Sequence, residues 1–302
     1  MIINQFWKIF LIGIMVVGGT ANTSTYTYEQ ALAAFDKLNL AIPTAEADGR
    51  TQTLNKKGAV TAKFEYATEE FLKFLKGKRV RVLEVGGAYG DVMIAALKPK
   101  KNKDIEYVLS DLDERHLFIA AKKLSNLINE KGAREKSPSQ AKFMRADITK
   151  SQDIKGMGTF DAILIARVLH YLTPEQLQMT IKHLFLLLKP KGKVFVVAIT
   201  PYVKRYESFI PEYERRKKEG AENPGFVSSL RSYVNADVTA PEQISNITNE
   251  PFFFLDADIL GSTFAANGFR VIESKMMPLC YKSTSWKLDG RENVILIAEK
   301  KS

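Results

Sequence analysis

A glycine-rich segment has the residue types that let a backbone wrap closely around a ligand. Residues 83–90 read LEVGGAYG, after an apolar run and before a helical pattern. Glycine permits a tight turn and a close approach of the backbone to a ligand. In an open parallel sheet, ligands bind at such turns between a strand and a helix. The segment therefore predicts a ligand-binding turn, although plain tight connections share this composition.

An acidic residue, Asp111, follows the next apolar run at 107–110. It lies 21 positions after Gly90 (111 − 90), a spacing that suits a carboxylate accepting hydrogen bonds from ribose hydroxyls. An alternative is that it caps the helix predicted from Leu112 to Ala121. Together, the glycine turn and the acid predict a nucleoside-binding site.

The surrounding elements alternate between apolar strand patterns and amphipathic helices, as in an α/β fold. The predicted strands are Val80–Val85, Ile105–Leu109, Ala141–Arg145, Phe160–Ile165, Val194–Ile199, Phe269–Lys275 and Asn293–Glu299. The predicted helices are 26–40, 64–75, 92–97, 117–130, 174–188 and 256–267, and a polar loop is predicted at 43–57. Continuously apolar strands indicate a sheet that is covered on both faces. We therefore predict a doubly wound, seven-stranded, mostly parallel sheet with an antiparallel last strand, helices on both faces and an insertion (201–251) after the fifth strand.

Composition excludes several other kinds of site. Cys280 is the single cysteine of the 302 residues, so an internal disulfide is impossible, and three scattered histidines give no metal-ligand spacing; no metal is expected. The net charge of +10 (44 Lys and Arg against 34 Asp and Glu) is compatible with acidic partners. The basic run Arg215–Lys218 fits either a solvated helix face or contacts to nucleic-acid phosphates.

These segments resemble the class I S-adenosylmethionine-dependent methyltransferases from about Lys63 to Lys300. Residues 83–90 resemble their first motif, and residues 144–147 resemble the end of their third strand. Residues 160–172 and 187–193 resemble the fourth strand with the segment after it and the turn into the fifth. Ala88 departs from the pattern, because the family often has glycine there. Dehydrogenases share the glycine turn and the acid, but these later segments favour methyl transfer.

The resemblance implies S-adenosylmethionine as cofactor and assigns residues to it. Glu84 and Gly86 would contact its methionine end, Asp111 its ribose and Asp147 its adenine. The other expected cofactor contacts are Gly87, Ala88, Gly90, Leu112 and Ile148. The expected fold and activity are therefore those of a Rossmann-like methyltransferase.

The expected acceptor site lies after the fourth strand, where this class binds acceptors. His170 is either a catalytic base or a packed, hydrogen-bonded histidine, and Arg167, Tyr171 and Tyr202 are expected to contact the substrate. Arg167 replaces the start of an Asn-Pro-Pro-Tyr motif, which argues against base-amino or glutamine methylation of that type. A small-molecule acceptor is expected. The alternatives are an RNA or protein methyltransferase and a catalytically inactive Rossmann-like binding module.

The N-terminal segment has the pattern of a targeting sequence. Lys8 precedes the apolar run 9–17, and small residues follow at 18–21. We expect residues 1–21 to be a signal peptide or membrane anchor in contact with a membrane or the secretion machinery, and residues 22–302 to be the methyltransferase domain. Because S-adenosylmethionine is made in the cytosol, the alternative is a cytoplasmic protein whose N-terminal helix packs on the domain.

Overall fold

The computed structural model is organised around one eight-stranded sheet, and it describes residues 23–46, 49–61, 63–98, 104–130, 140–247, 249–281 and 283–301. The strands are β1 (Ser24–Tyr26), β2 (Arg50–Gln52), β3 (Ala59–Thr61), β4 (Val80–Val85), β5 (Ile105–Asp111), β6 (Ala141–Arg145), β7 (Phe160–Ala166), β8 (Leu188–Ile199), β9 (Phe226–Val227), β10 (Phe252–Phe253), β11 (Phe269–Met277) and β12 (Asn293–Lys300). The α-helices are α1 (Tyr28–Lys37), α2 (Tyr66–Leu75), α3 (Asp91–Leu97), α4 (Glu114–Glu130), α5 (Ser151–Ile154), α6 (Pro174–Leu187), α7 (Ile210–Lys218), α8 (Pro241–Asn246) and α9 (Ala257–Ala266).

The strand order of the large sheet is β1-β6-β5-β4-β7-β8-β12-β11. β4 pairs in parallel with both β5 and β7, so the chain winds outward in opposite directions from the centre of the sheet. β12 pairs antiparallel with β8 and β11, which confirms the predicted antiparallel last strand. Because the chain reverses its winding direction between β4 and β7, a crevice forms at the carboxyl ends of these two strands, which is the usual ligand site of such sheets.

Both faces of the sheet are buried under helices, as the apolar strands predict. Leu83 packs in one apolar cluster with residues of α6 and α9. Its neighbour Val82 faces the opposite way and packs with residues of α1, α2, α3 and α4. This alternation follows from the two-residue period of a strand, and each fully buried aliphatic side chain contributes about 1.5–3 kcal/mol to stability.

The eighth strand, β1, corrects the prediction of seven strands and of a helix over 26–40. Residues 24–26 pair antiparallel with 143–145 at the edge of the sheet. The helix begins later because the side chain of Thr27 accepts a hydrogen bond from the Gln30 amide, while the Gln30 side chain accepts one from the Thr27 amide. This capping box fixes the start of α1 and leaves the residues before it extended.

The predicted polar loop at 43–57 contains part of a β-hairpin. Its strands β2 and β3 pair antiparallel from Arg50↔Thr61 to Gln52↔Ala59. The Thr53 hydroxyl closes the turn by donating to the Gly58 carbonyl (2.9 Å). The residues of β2 and β3 are mostly polar or small and do not form an apolar strand pattern. The hairpin therefore could not be predicted from hydrophobic periodicity.

The insertion between β8 and β10 folds around its own aromatic cluster and packs on the end of the large sheet. Its buried aromatic residues are Tyr202, Tyr206, Phe209 and Tyr213, with Phe252 and Phe254 at its far end. The short strands β9 and β10 pair with each other. Within the described ranges, no helix has the length and apolar content that a bilayer crossing requires. The predicted targeting segment, residues 1–21, lies outside those ranges.

Candidate functional site

The loop after β4 has the backbone conformation that its glycines permit. Gly86, Ala88 and Gly90 have left-handed φ values of +68°, +44° and +71°. The amides of Gly86 and Gly87 donate to the Ser110 carbonyl at the end of β5 (2.8 and 3.2 Å). Ala88, the departure from the family pattern, therefore occupies a conformation that costs an L-residue about 1–2 kcal/mol.

Neighbouring side chains approach the two central glycines closely. A Cβ atom on Gly86 would lie 2.4 Å from Val168 Cγ2, and one on Gly87 would lie 2.2 Å from Leu109 Cδ1. Both distances are shorter than a van der Waals contact. The loop is consequently pressed against β5 on one side and against the segment after β7 on the other, and it has no room for a side chain.

Asp111 ties this loop to the end of β5. One carboxylate oxygen accepts from the Ala88 amide (3.0 Å), and the other accepts from the Asp113 amide (3.0 Å) and lies 3.1 Å from His116 Nδ1. His116 Nε2 accepts from the Leu54 amide (3.2 Å), so by its partners Nδ1 carries the proton and donates to Asp111. A carboxylate offers about four acceptor positions. Three are occupied, which leaves one for a ligand hydroxyl.

Glu84 lies beneath the loop and not on its ligand-facing side. The side chain is 4% exposed, and its Cδ would be 2.6 Å from a Cβ on Gly87. The Tyr107 hydroxyl donates to it (2.7 Å). Burial raises the pKa of Glu84 to about 8, against the opposing effect of this hydrogen bond. Its position allows an effect on a methionine moiety through the loop above it.

The turn after β6 supplies the third part of the crevice. Asp147 Oδ1 accepts from the amide and hydroxyl of Thr149 (3.0 and 2.7 Å), and its Oδ2 lies 3.4 Å from the ammonium of Lys150. His183 on α6 fixes the next residue, because its Nδ1 donates to the Ile148 carbonyl (2.6 Å).

An apolar side chain projects from the neighbouring turn after β5. Leu112, next to Asp111, is 61% exposed, whereas Ile148 after β6 is buried. An exposed leucine beside a carboxylate offers the apolar face and the acceptor that a purine nucleoside needs.

The segment after β7 begins with a charged residue in an unusual conformation. Arg167 has φ +61° and its guanidinium pairs with the Glu65 carboxylate and donates to Asn293 Oδ1 (3.3 Å). Glu65 and Asn293 are both buried. The Arg167 charge is therefore neutralised by an acid of the chain itself.

His170 lies in the same segment, is 0% exposed and has no hydrogen-bond partner at either ring nitrogen among the described residues. Burial lowers the pKa of His170 well below its ordinary value, and the Arg167 charge lowers it further. The imidazole is neutral at neutral pH. Its neighbours are the rings of Tyr171 and Phe252, with centroids 4.4 and 4.9 Å away.

The hairpin β2–β3 covers both halves of this crevice. On the cofactor side, the Tyr89 hydroxyl donates to the Gln52 carbonyl (2.9 Å). On the other side, the Tyr171 hydroxyl donates to the Lys57 carbonyl, and the Lys57 ammonium pairs with Glu250 of the insertion (2.9 Å). The hairpin thus joins the glycine loop, the segment after β7 and the insertion.

Tyr202, an expected substrate contact, is surrounded by side chains of the insertion and by Arg291. Its hydroxyl donates to Glu214, its ring packs edge-on against Tyr213, and the Arg291 guanidinium covers it (3.6 Å). Tyr206, one turn later, contacts the Phe252 ring instead (6.5 Å). Because Phe252 packs on His170, Tyr206 is linked to the imidazole through this one ring.

Several residues of the site have no signal in the sequence. The hairpin, His116 and His183 act through hydrogen bonds that include contacts between segments far apart in the chain. Phe252 and Tyr206 reach the crevice only because the insertion folds back on the sheet. A pattern of residue types can place none of these contacts.

Comparison with known proteins gives the class that this fold and crevice define. Residues 83–194 match the model of a family described as a methyltransferase domain. Residues 83–194 therefore have the pattern of a class I S-adenosylmethionine-dependent methyltransferase domain, and S-adenosylmethionine is the cofactor of that class. The identification confirms the predicted family, Rossmann-like fold, enzyme class and cofactor.

The curated relatives are much larger proteins. The chain is 28% identical over 127 residues to the highly reducing polyketide synthase ACRTS2 of Alternaria alternata, covering 40% of this chain and 5% of that one. It is 29% identical over 130 residues to highly reducing polyketide synthase 2 of Gibberella zeae, with the same coverage of 40% and 5%. The chain therefore spans a small fraction of either synthase.

A solved structure supports the fold. A crystal structure of an S-adenosylmethionine-dependent methyltransferase from Methanosarcina mazei superposes with a TM-score of 0.51 at 15% identity, covering 76% of this chain and 97% of that one. At this identity the likeness establishes the common architecture of the two chains.

Proposed function

We propose that the chain transfers a methyl group from S-adenosylmethionine to a small-molecule acceptor, with His170 as the general base. The acceptor would lie between the glycine loop, the segment after β7 and the insertion. The observation that carries this proposal is the buried, neutral imidazole of His170, whose two nitrogens have no partner in the described chain. A buried polar group without a partner costs about 1–3 kcal/mol, and a bound ligand would remove that cost.

The residues of the crevice fit the cofactor. The free acceptor position of Asp111 would take a ribose hydroxyl, Asp147 Oδ2 would accept from the adenine amino group, and Leu112 would cover the adenine face. Ile148 would close the opposite side. Gly86, Gly87, Ala88 and Gly90 would follow the methionine end, with Glu84 supporting them from below.

The chain's part in the chemistry is positioning and proton removal. Bound S-adenosylmethionine supplies a methyl group on a positively charged sulfur, which departs as a neutral thioether. His170 takes the proton that the acceptor atom loses as its bond to the methyl carbon forms. Protonation adds one positive charge to the buried site while the sulfur loses one. The total charge is unchanged, so a low-dielectric pocket does not oppose the step as it would oppose net charge formation.

Two features favour a small acceptor over a macromolecule. The hairpin and the insertion meet across the crevice through Tyr171, Lys57 and Glu250, which leaves little open surface above His170. The basic run of α7, the alternative nucleic-acid contact, is largely neutralised. Its ion pairs are Arg215–Glu219, Arg216–Glu212 and Lys217–Asp258.

The proposal is tested with label transfer from S-adenosylmethionine to a deproteinised small-molecule extract. His170→Asn keeps a polar side chain without a base, and we expect label transfer to fall by about 10²–10⁴-fold, the usual contribution of general base catalysis. Calorimetry should show S-adenosylmethionine affinity within about threefold of wild type, since His170 is not placed against the cofactor. Arg215→Gln, on an exposed ion pair, is the control with unchanged transfer.

Wild-type transfer rates in a folded His170→Asn variant would remove the histidine from the mechanism. Tight S-adenosylmethionine binding with no transfer by the wild type to small molecules, protein or RNA would favour a binding module. Transfer to RNA or protein alone would assign a macromolecular acceptor.

We propose further that residues 1–21 direct export or membrane association and that residues 22–302 form the catalytic unit, with 201–251 as the cover of the acceptor site. The support is the charge and apolar pattern of the N-terminal segment. Fractionation of cells should recover the protein outside the cytosol. Intact protein in the soluble cytosolic fraction would contradict this assignment.

A further inference from the structure

A second buried cation, Arg205, lies at the start of the insertion. Its side chain is 5% exposed and its Nη2 donates to Gln243 Oε1 and Ser285 Oγ (3.2 Å for the latter). Both partners are neutral, and Nε has no partner among the described residues. Burial lowers the pKa of Arg205, and the charge of Arg50 lowers it further. The guanidinium remains charged, because its ordinary pKa is above 12.

The contrast with Arg167 shows what Arg205 lacks. Both guanidiniums interact with Tyr281, whose ring centroid lies 5.8 Å from the Arg167 guanidinium. Arg167 pairs with the buried carboxylate of Glu65. In the described part of the chain, no carboxylate pairs with Arg205. A buried charge without a counter-charge costs several kcal/mol, so such groups are normally paired.

The polar atoms left without partners near Arg205 are donors. The indole N–H of Trp286 is one of them, and the Arg205 guanidinium stacks over the Trp286 ring at 5.1 Å. The Arg205 Nε itself is another. A surplus of buried donors around a cation matches a ligand group that offers only acceptors.

The same aromatic surface connects this donor group to His170. Tyr206, next to Arg205, packs edge-on against Trp286 (6.1 Å) and contacts Phe252 (6.5 Å), and Phe252 contacts His170 (4.9 Å). A ligand lying along these rings would meet Arg205 at one end and the imidazole at the other.

From this arrangement, and resting on the proposed function, we infer that the methyl acceptor is a flat, unsaturated or aromatic carboxylate whose anionic group is bound by Arg205 and the Trp286 N–H. The planar guanidinium matches a carboxylate in two-point hydrogen bonding. The aromatic rings of Tyr206, Phe252 and Trp286 accept the flat body, and His170 takes the proton at the opposite end. The missing counter-charge of Arg205 is thus supplied by the substrate.

The first test measures carboxylate binding without any turnover. Full-length protein saturated with S-adenosylhomocysteine is titrated with benzoate and, separately, with benzamide, which has the same shape without the charge. Benzoate should bind and raise the unfolding midpoint, and benzamide should bind at least tenfold more weakly. Arg205→Gln should lose at least tenfold in benzoate affinity, whereas the exposed control Arg215→Gln should bind as wild type does.

Trp286→Phe keeps an aromatic ring and removes the N–H, so it should weaken benzoate binding several-fold. This variant replaces Arg205→Gln as the test if Arg205→Gln does not fold. Equal binding of benzoate and benzamide, no benzoate binding to the wild type, or full benzoate affinity in both folded variants would overturn the inference.

The second test separates this inference from the proposed function. A deproteinised extract is divided on an anion exchanger at neutral pH before label transfer. Methyl transfer to the retained fraction supports both proposals. Transfer confined to the unretained fraction supports the methyltransferase and overturns the carboxylate acceptor. When neither fraction is methylated by protein that binds S-adenosylmethionine, the small-molecule function fails and the benzoate titration alone decides whether Arg205 forms an anion site.

Discussion

Adding one methyl group to the glycine loop tests how closely neighbouring side chains pack against the loop. Gly77, a glycine of similar φ with no neighbour near its Cβ position, provides a matched control. Gly77→Ala places a Cβ in open space at φ +70°, so only backbone strain acts. That strain costs about 1–2 kcal/mol, reduced by about 0.4–1 kcal/mol because alanine restricts the unfolded chain. Gly86→Ala has nearly the same φ, +68°, but its Cβ meets Val168 Cγ2 at 2.4 Å. Overpacking adds about 1–3 kcal/mol, so this substitution should destabilise the protein by about 1–4.5 kcal/mol.

Urea unfolding of the two variants without cofactor measures the difference, and calorimetry with S-adenosylmethionine should show loss of binding in Gly86→Ala only. Adding Val168→Ala removes the opposing methyl group. The double mutant should therefore recover at least about 1 kcal/mol relative to the sum of the single changes. If Gly86→Ala is no less stable than Gly77→Ala, or if the two changes at 86 and 168 are additive, the close packing of the loop on the segment after β7 is refuted.

Two other substitutions test the acids of the site. Burial raises the pKa of Glu84 from 4.5 to about 8, so between these pH values the folded protein holds a proton that the unfolded chain releases. The contribution of this proton to the free energy of unfolding is therefore complete below pH 4.5 and is lost as the pH rises toward 8. Glu84→Gln should remove this pH dependence. In urea titrations, the difference in the free energy of unfolding between the variant and wild type should change by about 2.5 kcal/mol between pH 5.5 and 7.5. If the two proteins show parallel dependence of stability on pH, Glu84 is not buried and protonated. Asp111→Ala leaves the Ala88 amide and His116 without their acceptor. It should weaken S-adenosylmethionine binding by about 1–3 kcal/mol and also lower the unfolding midpoint, and calorimetry with equal affinity in a folded variant would exclude Asp111 from the site.

The strands of the sheet could be predicted because their signal is local. β4 and β6 have the predicted bounds, and β5, β7, β11 and β12 differ from prediction by one or two residues at one end. A strand buried on both faces must be apolar throughout, and such a run is visible without knowing its partners. β1 and the hairpin β2–β3 are short and partly exposed, and pairing across the chain stabilises them. Their existence depends on neighbours that the local pattern does not contain.

The predicted site residues differ in the same way. Gly86, Gly90 and Asp111 belong to a turn and a strand end whose geometry follows from the sheet, and the structure brings them together. Glu84 has the expected position in the chain, but the inward direction of its side chain depends on Tyr107. Tyr202 and Tyr206 are indistinguishable by composition and spacing. Only the folding of the insertion decides which of them contacts Phe252.

The three histidines show most clearly what hydrogen bonding adds to residue type. His116 has a partner at each ring nitrogen, Asp111 and the Leu54 amide. His183 likewise has two, the Ile148 carbonyl and the Ser151 hydroxyl. Each is fixed in one tautomer and holds a loop of the crevice. His170 is as deeply buried and has neither bond to the residues that the structure describes. A histidine that only fills space could be replaced by phenylalanine without the cost of two unpaired nitrogens, which supports the proposal that a bound molecule pairs with them.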